Sequence, residues 1–488
     1  MTKIAVIHYP GATAHSYSVV ASLVADLQDQ RHEVTVIDIG NFTTTRQGYP
    51  PGWIARLLGH RVFAGRFQRE LQEMGAAYLV ANTAQGVLPL TDQQREDINL
   101  AVESELLTYF RTDLLHERQS YSDRLRKQLA SQAFETGVSL HALFADLGFQ
   151  EVIVPNGRTS RQKAARIAAE ILKIPIRFYE NGRALPNHYY LGSTQPHDRL
   201  ASQAEVAKLT QNISSQEIET AASTFMGHRM SQDRGTNQFS TSWTTTASQV
   251  AHSARQEKLA VFFPSSFDEY LAFGPMWNID SWDYQFQPFD LVMDHLEREG
   301  FSLEMRLHPN LSNKSRRYFN REVANVSKLI AHHPNLLVHW HNSSTNSYDL
   351  VSRADLIFVE RSTIGLEASM MGKPVWVNQA CQWDLIADVR QVLSAKDISA
   401  KALKPWVVNA EPAQRFAAYW MMQEHPLRFS WANWASWNPD NPPLRMRVAL
   451  LAVPNSWRHR LHLIRVEWER LRNKSFAPSS VALTEEVR

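Results

Sequence analysis

The sequence predicts an α/β fold built from two doubly wound parallel sheets. Short apolar runs recur along the chain, and each is followed by polar turn residues and then by a segment with helical spacing. These runs form two series, at 4–179 and 259–377, separated by a stretch at 197–254 that is rich in Ser, Thr and Gln. A chain of 488 residues with 44% hydrophobic residues is long enough to bury two cores.

Composition narrows the class of protein. The formal net charge of +2 gives no field that favours nucleic acid, and the single cysteine, Cys381, excludes a disulfide framework and fits a reducing compartment. No stretch approaches the roughly eighteen apolar residues of a membrane span, and the N-terminus resembles a strand more than a secretion signal. We therefore expect a cytoplasmic protein without a nucleic-acid partner.

The first series begins with the apolar strand Ile4–Ile7, a helix near 15–28 and a second strand near 33–39. The segment 41–147 is predicted to be a mostly helical insertion that serves as a lid or an acceptor surface. The alternation then resumes with two strands and the helix between them, at 151–154, 176–179 and 161–172.

The second series follows the predicted linker 236–257 and ends in its most regular unit, 354–377. There the buried strand Leu356–Val359 leads to a helix that Gly372 closes as a left-handed cap, and Pro374 starts the next strand. The earlier elements are the strands 259–263, 302–307 and 336–340 and the helices 289–299 and 314–331. The predicted domains are 1–235, 258–405 and a C-terminal tail, 406–488.

Ligands in open α/β sheets gather at the carboxyl ends of the strands. In the first series Asn156, Arg158 and Glu180 follow such ends, with His8 as a further candidate. In the second series the candidates are Ser265, Asp268, His308, His341 and Ser362. The alternative for Arg158 and Glu180 is a simple turn, because Asn156-Gly157 and Asn181-Gly182 are typical turn dipeptides.

The start of the helix after Val359 has the composition of a phosphate site. Ser362, Thr363 and Gly365 supply hydroxyls and backbone N–H groups, and Glu367 is placed to accept hydrogen bonds from a ribose. The alternative is an ordinary capped helix in which Glu367 stabilises the helix dipole.

His308 follows a strand and is fixed by Pro309, so it is a candidate donor to a phosphate or a leaving nucleotide, with Arg306 beside it. The alternative is a turn histidine. The chain has no G-x-G-x-x-G for a dinucleotide and no Asp-x-Asp for a catalytic Mg²⁺, so neither a cofactor nor a metal is expected.

The tail has an unusual composition. Half of the 14 tryptophans lie after residue 400, and eight Arg or Lys stand against two Glu in 445–474. Helical spacing of Trp457 and Trp468 among basic residues predicts either an amphipathic helix on an anionic membrane surface or a helix packed on the first domain.

Several short motifs occur in a characteristic order: Asn156-Gly157-Arg158, Tyr179–Gly182, Arg306–Pro309, Ser362–Ala368 and Gly372–Val375. In this order they resemble bacterial capsular and surface polysaccharide glycosyltransferases of the GT-B fold, including sialyl- and 3-deoxy-manno-octulosonate (Kdo) transferases. The resemblance implies two Rossmann-like domains facing a central crevice, with the acceptor saccharide or glycolipid on the first and a nucleotide sugar on the second.

In relatives that use CMP-activated sugars, a His-Pro pair and a Ser-Ser/Thr pair hold the CMP, and His308-Pro309 and Ser362-Thr363 match them. The resemblance implies an acidic catalytic base, for which Glu180, Asp268 and Glu269 are candidates, and a metal-independent transfer from a CMP-sugar in preference to UDP- or GDP-sugars. Two alternatives stay open: a sugar-nucleotide 2-epimerase, and a non-catalytic assembly partner in polysaccharide biosynthesis.

Overall fold

A computed structural model describes residues 1–9, 14–39, 60–81, 86–110, 119–185, 187–231, 258–277, 282, 284–398, 406–429, 468–469, 471–473 and 475. The predicted linker 236–257 and most of the basic Trp-rich part of the tail lie outside these residues.

Two sheets organise the molecule. Within the described residues, the first contains seven strands in the order β3-β2-β1-β4-β5-β6-β13, and the second contains six in the order β12-β11-β10-β7-β8-β9. The strands of the first sheet are β1 (Lys3–His8), β2 (Glu33–Asp38), β3 (Ala77–Val80), β4 (Glu151–Pro155), β5 (Ile176–Asn181), β6 (His188–Gly192) and β13 (Glu424–Pro426). Those of the second are β7 (Lys258–Phe263), β8 (Phe301–Arg306), β9 (Leu337–His339), β10 (Leu356–Val359), β11 (Val375–Val377) and β12 (Arg390–Gln391).

Both sheets have the strand order of a Rossmann-like unit. In each, the first strand of the series lies between the second and the fourth, and these neighbours are parallel. The predicted α/β class with two doubly wound, GT-B-type units is confirmed. Among the described strands, only β6 runs antiparallel to its neighbours, β5 and β13, at one edge of the first sheet.

The helices of the first half are α1 (Ala14–Asp29), α2 (His60–Glu73), α3 (Asp92–Phe110), α4 (Gln119–Leu147), α5 (Ser160–Ile171), α6 (Arg199–Thr210) and α7 (Ser215–Ser231). Those of the second half are α8 (Phe267–Leu271), α9 (Gln287–Arg298), α10 (Arg316–His332), α11 (Ser347–Arg353), α12 (Ile364–Met370) and α13 (Glu411–Met422).

Strand β7 explains why the central strands read as continuous apolar runs. Ala260 and Phe262 pack into the core beneath α9 and α10, while Leu259 and Val261 pack into the core on the opposite face. Because helices cover both faces, every position after Lys258 is buried and the sequence loses the alternation of a half-exposed strand.

Two helices that precede the linker belong to the second core. Val206 of α6 and Phe225 of α7 are buried together with β7, β10 and Phe416 of α13. The boundary predicted at residue 235 therefore follows two helices that pack with the second sheet.

The chain crosses between the two units twice. The chain leaves the first sheet after β6 to form α6, and it returns from α13 to form β13, which pairs with β6. The Leu191 N–H donates to the Gln423 carbonyl (3.0 Å), so the two crossings lie side by side. The Glu424 carboxylate accepts the backbone N–H groups of Ala184 and Leu185 (2.7 and 2.9 Å) beside them.

The predicted helical insertion contains a strand that periodicity did not reveal. Ala77–Val80 forms β3 and pairs in parallel with β2. Four residues are too few to distinguish a strand from one turn of a helix, so the prediction missed it.

The described end of the tail lies on the second unit. Glu469 accepts the Arg316 N–H (2.9 Å), and the Asn473 amide donates to the Lys314 carbonyl (3.0 Å). An earlier part of the tail contacts the first unit, where β13 pairs with β6 and Arg428 forms ion pairs with Asp26 and Asp29 of α1. No helix in the described part of the chain is long and apolar enough to cross a membrane.

Candidate functional site

The carboxyl edges of the two sheets face each other. In the second sheet the direction of chain progression reverses between β7 and β10, and this reversal is where open α/β sheets bind ligands. Ser265 follows β7, and Glu360 to Thr363 follow β10. The predicted residues of the second unit therefore lie at the expected edge.

A buried ion pair lies at this edge, directly after β10. Arg361 donates to Glu360 (Nη1 to Oε1, 3.1 Å), and both residues are at most 2% exposed. Burial raises the pKa of Glu360, and the positive charge of Arg361 opposes that rise. The guanidinium also lies 5.4 and 5.1 Å from the ring centroids of Phe267 and Tyr270.

Ser265 connects this pair to β7. Its N–H donates to Glu360 Oε2 (3.0 Å), and its hydroxyl accepts the Arg361 N–H (3.2 Å). The pair was not among the predicted site residues. Two adjacent charges directly after a buried strand are the signal that identifies it, because charges in such a place need a partner.

On the first unit, a second polar cluster joins Asn156, Glu180, Arg183 and His197. Glu180 accepts from Asn156 Nδ2 (2.5 Å) and from Arg183 Nη2 (2.6 Å). The His197 ring lies 3.0 Å from Asn156 Nδ2 and 3.6 Å from Glu180. Asn156 holds a positive φ of 49°, which turns the chain after β4 so that its amide reaches Glu180. The structure thus brings Asn156 and Glu180 together at the carboxyl ends of β4 and β5.

The electrostatics of this cluster bear on the choice of catalytic base. Burial alone would raise the pKa of Glu180, but Arg183 and His197 outweigh it and hold that pKa well below its usual range. Burial lowers the pKa of His197 to about 4, against the attraction of Glu180. A carboxylate that is so acidic is a weak proton acceptor near neutral pH, so Glu180 suits an anchoring role better than the predicted catalytic one.

The second unit covers this cluster. The ring of Phe273 stacks on His197 at 4.2 Å, and Trp277 Nε1 donates to the His197 carbonyl (2.8 Å). Arg158 spans the same boundary, with its guanidinium 5.3 Å from the Phe273 ring and Nη1 3.4 Å from the Ala272 carbonyl. Arg158 is therefore a contact between the units in this structure.

His308 lies just after β8, at the carboxyl edge of the second sheet, which we call the rim. It caps the 3₁₀ turn Pro309–Asn313, and its Nδ1 accepts the Asn310 N–H (3.1 Å). Because Nδ1 is an acceptor, the neutral ring carries its proton on Nε2. The geometry thus leaves Nε2 as the donor nitrogen of His308.

Arg306 is buried and bonded to the backbone. Its guanidinium is only 6% exposed and donates to backbone carbonyls of the chain after β9, those of Trp340 and Ser343 (3.1 Å to Ser343). Burial lowers its pKa to about 10. Arg306 therefore fixes the loop that follows β9.

Gly365 packs closely against the core. A Cβ at this position would lie 2.6 Å from the Trp383 ring and 2.8 Å from Val359, and its N–H already donates to the Ser362 carbonyl (3.1 Å). The glycine permits close packing of α12 on the core. Ser362 and Thr363 are half-buried at the rim, and α12 is only seven residues long.

Glu367 has side-chain partners on two neighbouring helices. It is 3% exposed, its Oε2 accepts from the Tyr348 hydroxyl (2.7 Å), and its Oε1 lies 3.3 Å from Arg229 of α7. Burial raises its pKa, which Arg229 partly offsets. The carboxylate therefore links α12 to α11 and α7.

The remaining predicted residues are placed as follows. Asp268 and Glu269 lie in α8, but their side chains fall outside the described part of the structure. His341 is buried with Nε2 3.0 Å from the Asn473 carbonyl of the tail. His8 is 1% exposed at the end of β1, between the rings of Tyr17 and Phe67 (5.1 Å each).

The chain is similar, at low sequence identity, to several solved structures. No protein-family model and no curated protein matches the sequence. The beta-Kdo 2,4 transferase of Thermosulfurimonas dismutans KpsC is 15% identical, over 65% of this chain and 88% of its own, with a TM-score of 0.35. The beta-Kdo 2,7 transferase of the same protein is 14% identical, over 57% and 79%, with a TM-score of 0.34. The UDP-GlcNAc 2-epimerase of Neisseria meningitidis, bound to UDP-GlcNAc, is 14% identical over 86% and 98%, with a TM-score of 0.33.

Proposed function

We propose that the chain is a glycosyltransferase that moves a sugar from a nucleotide donor to a saccharide or glycolipid acceptor. The observation that carries this proposal is the position of the polar residues after β7 and β10. Ser265, Glu360 and Arg361 lie where the chain direction of a Rossmann-like sheet reverses, which is the binding place for nucleotides in this architecture.

The donor phosphate belongs at the rim of the second unit. His308 presents Nε2 as a donor, and Ser362 and Thr363 add half-buried hydroxyls after β10. Donors fixed in this way stabilise the negative charge that grows on the phosphate as the nucleotide leaves. His308 is therefore assigned the role of phosphate donor or acid.

The acceptor belongs on the first unit, and its hydroxyl needs a base. Since the pKa of Glu180 is held low by Arg183, we assign this role to Asp268, on the helix that follows β7. Glu180 and Asn156 then orient the acceptor. Arg183 holds Glu180 in place, and His197 contacts Asn156.

A CMP-activated acidic sugar is the favoured donor. One phosphate next to the sugar can be neutralised by a histidine and hydroxyls, whereas a diphosphate more often requires a metal or several basic residues. Arg306 and Arg361, the two arginines close to the rim in sequence, are engaged by backbone carbonyls and by Glu360. Both engagements strengthen the preference for a monophosphate.

Titration of CMP, UDP and GDP into the protein, with a chelator present, tests the proposal. We expect CMP to bind, and to bind more tightly than UDP or GDP. Binding of UDP or GDP without CMP would overturn the donor assignment. Binding of none of the three would favour the non-catalytic alternative, and conversion of a nucleotide sugar without an acceptor would favour the epimerase.

Replacement of His308 by alanine should lower turnover about 100-fold or more, because the donor to the leaving phosphate is lost. The measurement is steady-state transfer with the donor identified by titration. His32→Ala, directly before β2 and so at the amino edge of the first sheet, is the matched control and should keep full activity. Full activity of a folded His308→Ala variant would contradict the assigned role.

A further inference from the structure

A cluster of histidines and carboxylates lies at the edge of the second sheet opposite to the candidate site. Asp290, Asp294 and Glu297 recur at spacings of four and three residues, so they line one face of α9. His332 ends α10, and His333 follows it as the C-cap. Helices α9 and α10 end just before β8 and β9 begin, which places the cluster at the amino edge of the sheet.

Both imidazoles converge on one carboxylate oxygen. Asp290 Oδ1 lies 2.8 Å from His332 Nδ1 and 3.0 Å from His333 Nε2. These three atoms all lie within 4.8 Å of one another. A zinc ion with ligands at about 2.0–2.1 Å in tetrahedral geometry separates its ligand atoms by about 3.3 Å, so a shift of a few tenths of an ångström would admit the ion.

The other nitrogen of each ring also faces a carboxylate. His333 Nδ1 lies 2.7 Å from Glu297 Oε2, and His332 Nε2 lies 3.6 Å from Asp294 Oδ1. Metal-binding histidines commonly donate their second N–H to a carboxylate, which fixes the tautomer and turns the other nitrogen toward the ion. Two such histidine–carboxylate pairs around a shared third carboxylate are an independent indication of a metal site.

The charge of the cluster and the solvent exposure of its side chains also suit a bound metal ion. Three carboxylates face two imidazoles, and the described cluster therefore attracts a cation. The His333 side chain is fully buried, whereas those of His332 and Asp294 are 54% and 42% exposed. The site is thus anchored in the core and open to solvent on one side.

We propose that His332, His333 and Asp290 bind a divalent transition-metal ion of the zinc class, with water in the fourth position. Imidazole and carboxylate ligands in a three-residue set suit Zn²⁺ better than Mg²⁺, which prefers oxygen ligands in octahedral geometry. The ion would join α9 to α10 and stabilise the second unit away from the candidate crevice. The proposal does not depend on the transferase assignment.

The test uses the full chain, stripped of metal with a chelator. Addition of Zn²⁺ should raise Tm by about 2 °C or more, while Mg²⁺ at the same concentration should not. Addition of Co²⁺ should produce the intense visible absorption of a four-coordinate ion. Replacing Glu297, which orients His333, by glutamine should weaken Zn²⁺ binding about 10–100-fold.

The variants His332→Ala and Asp290→Asn should lose the Zn²⁺-dependent rise in Tm and the Co²⁺ absorption. His332 is exposed enough for the variant to fold even if His333→Ala does not. His141→Ala, on α4 in the first unit, is the control and should behave like the wild type. Zn²⁺ affinity that is equal in the wild type and in both variants, or a wild type that shows no rise in Tm, would overturn the proposal.

Discussion

Replacement of Arg361 by methionine should lower the free energy of unfolding by about 3–5 kcal/mol. The Glu360 carboxylate is 1% exposed, and Arg361 is the cation that balances it. Without the guanidinium, the pKa of Glu360 would rise further, because burial already raises it and the opposing charge is gone. The measurement is urea denaturation near neutral pH.

Two further variants make this result specific. The double variant Glu360→Gln/Arg361→Met should recover a large part of the loss, since no buried charge is left unpaired. Arg415→Met breaks the more exposed pair between Arg415 and Glu411 and should cost less than about 1 kcal/mol. An equally small loss of unfolding free energy for Arg361→Met would show that the Glu360–Arg361 pair contributes little to stability.

Acidification should destabilise the protein through His8. Burial lowers the pKa of this imidazole from 6.5 to about 3. The unfolded chain binds a proton below about pH 6.5 that the folded protein does not, so stability is fully present above that pH and falls as the pH approaches 3. Between about pH 7 and about pH 4.5 this one residue should remove about 2–3 kcal/mol.

The comparison that isolates His8 is the variant His8→Phe, which keeps an aromatic ring between Tyr17 and Phe67. Denaturation of both proteins at the two pH values should show a smaller acid-induced loss in the variant. Equal losses would mean that other groups, such as the carboxylates, account for the acid sensitivity. His141→Phe, at a site where no comparable burial occurs, should leave the loss unchanged.

The fold was predictable where the local pattern is decisive. Runs such as Leu356–Val359, buried on both faces and ended by turn residues, identify the central strands of both sheets. Strands β3 and β13 escaped prediction because three or four residues carry no periodicity and because β13 pairs with a strand more than 200 positions earlier. Their existence depends on tertiary contacts.

In the candidate site, the positions of residues were predictable from the sequence but their side-chain contacts were not. Topology alone places Asn156, Glu180, His308 and Ser362 at carboxyl edges, and the structure has them there. What a side chain does at the edge depends on its neighbours. Glu367 is bound by Tyr348 and Arg229, and neither contact follows from the spacing along α12.

The paired crossings between the units have a mechanical consequence. A single covalent link would behave like a swivel, but here two links run side by side, with β6 and β13 joined by hydrogen bonds and Gln423 bonded to Leu191. A connection made of two paired strands acts as a hinge that bends about one axis and resists twisting. Opening of the cleft should therefore be a single-axis rotation that returns His308 and Asn156 to the same alignment at each closure.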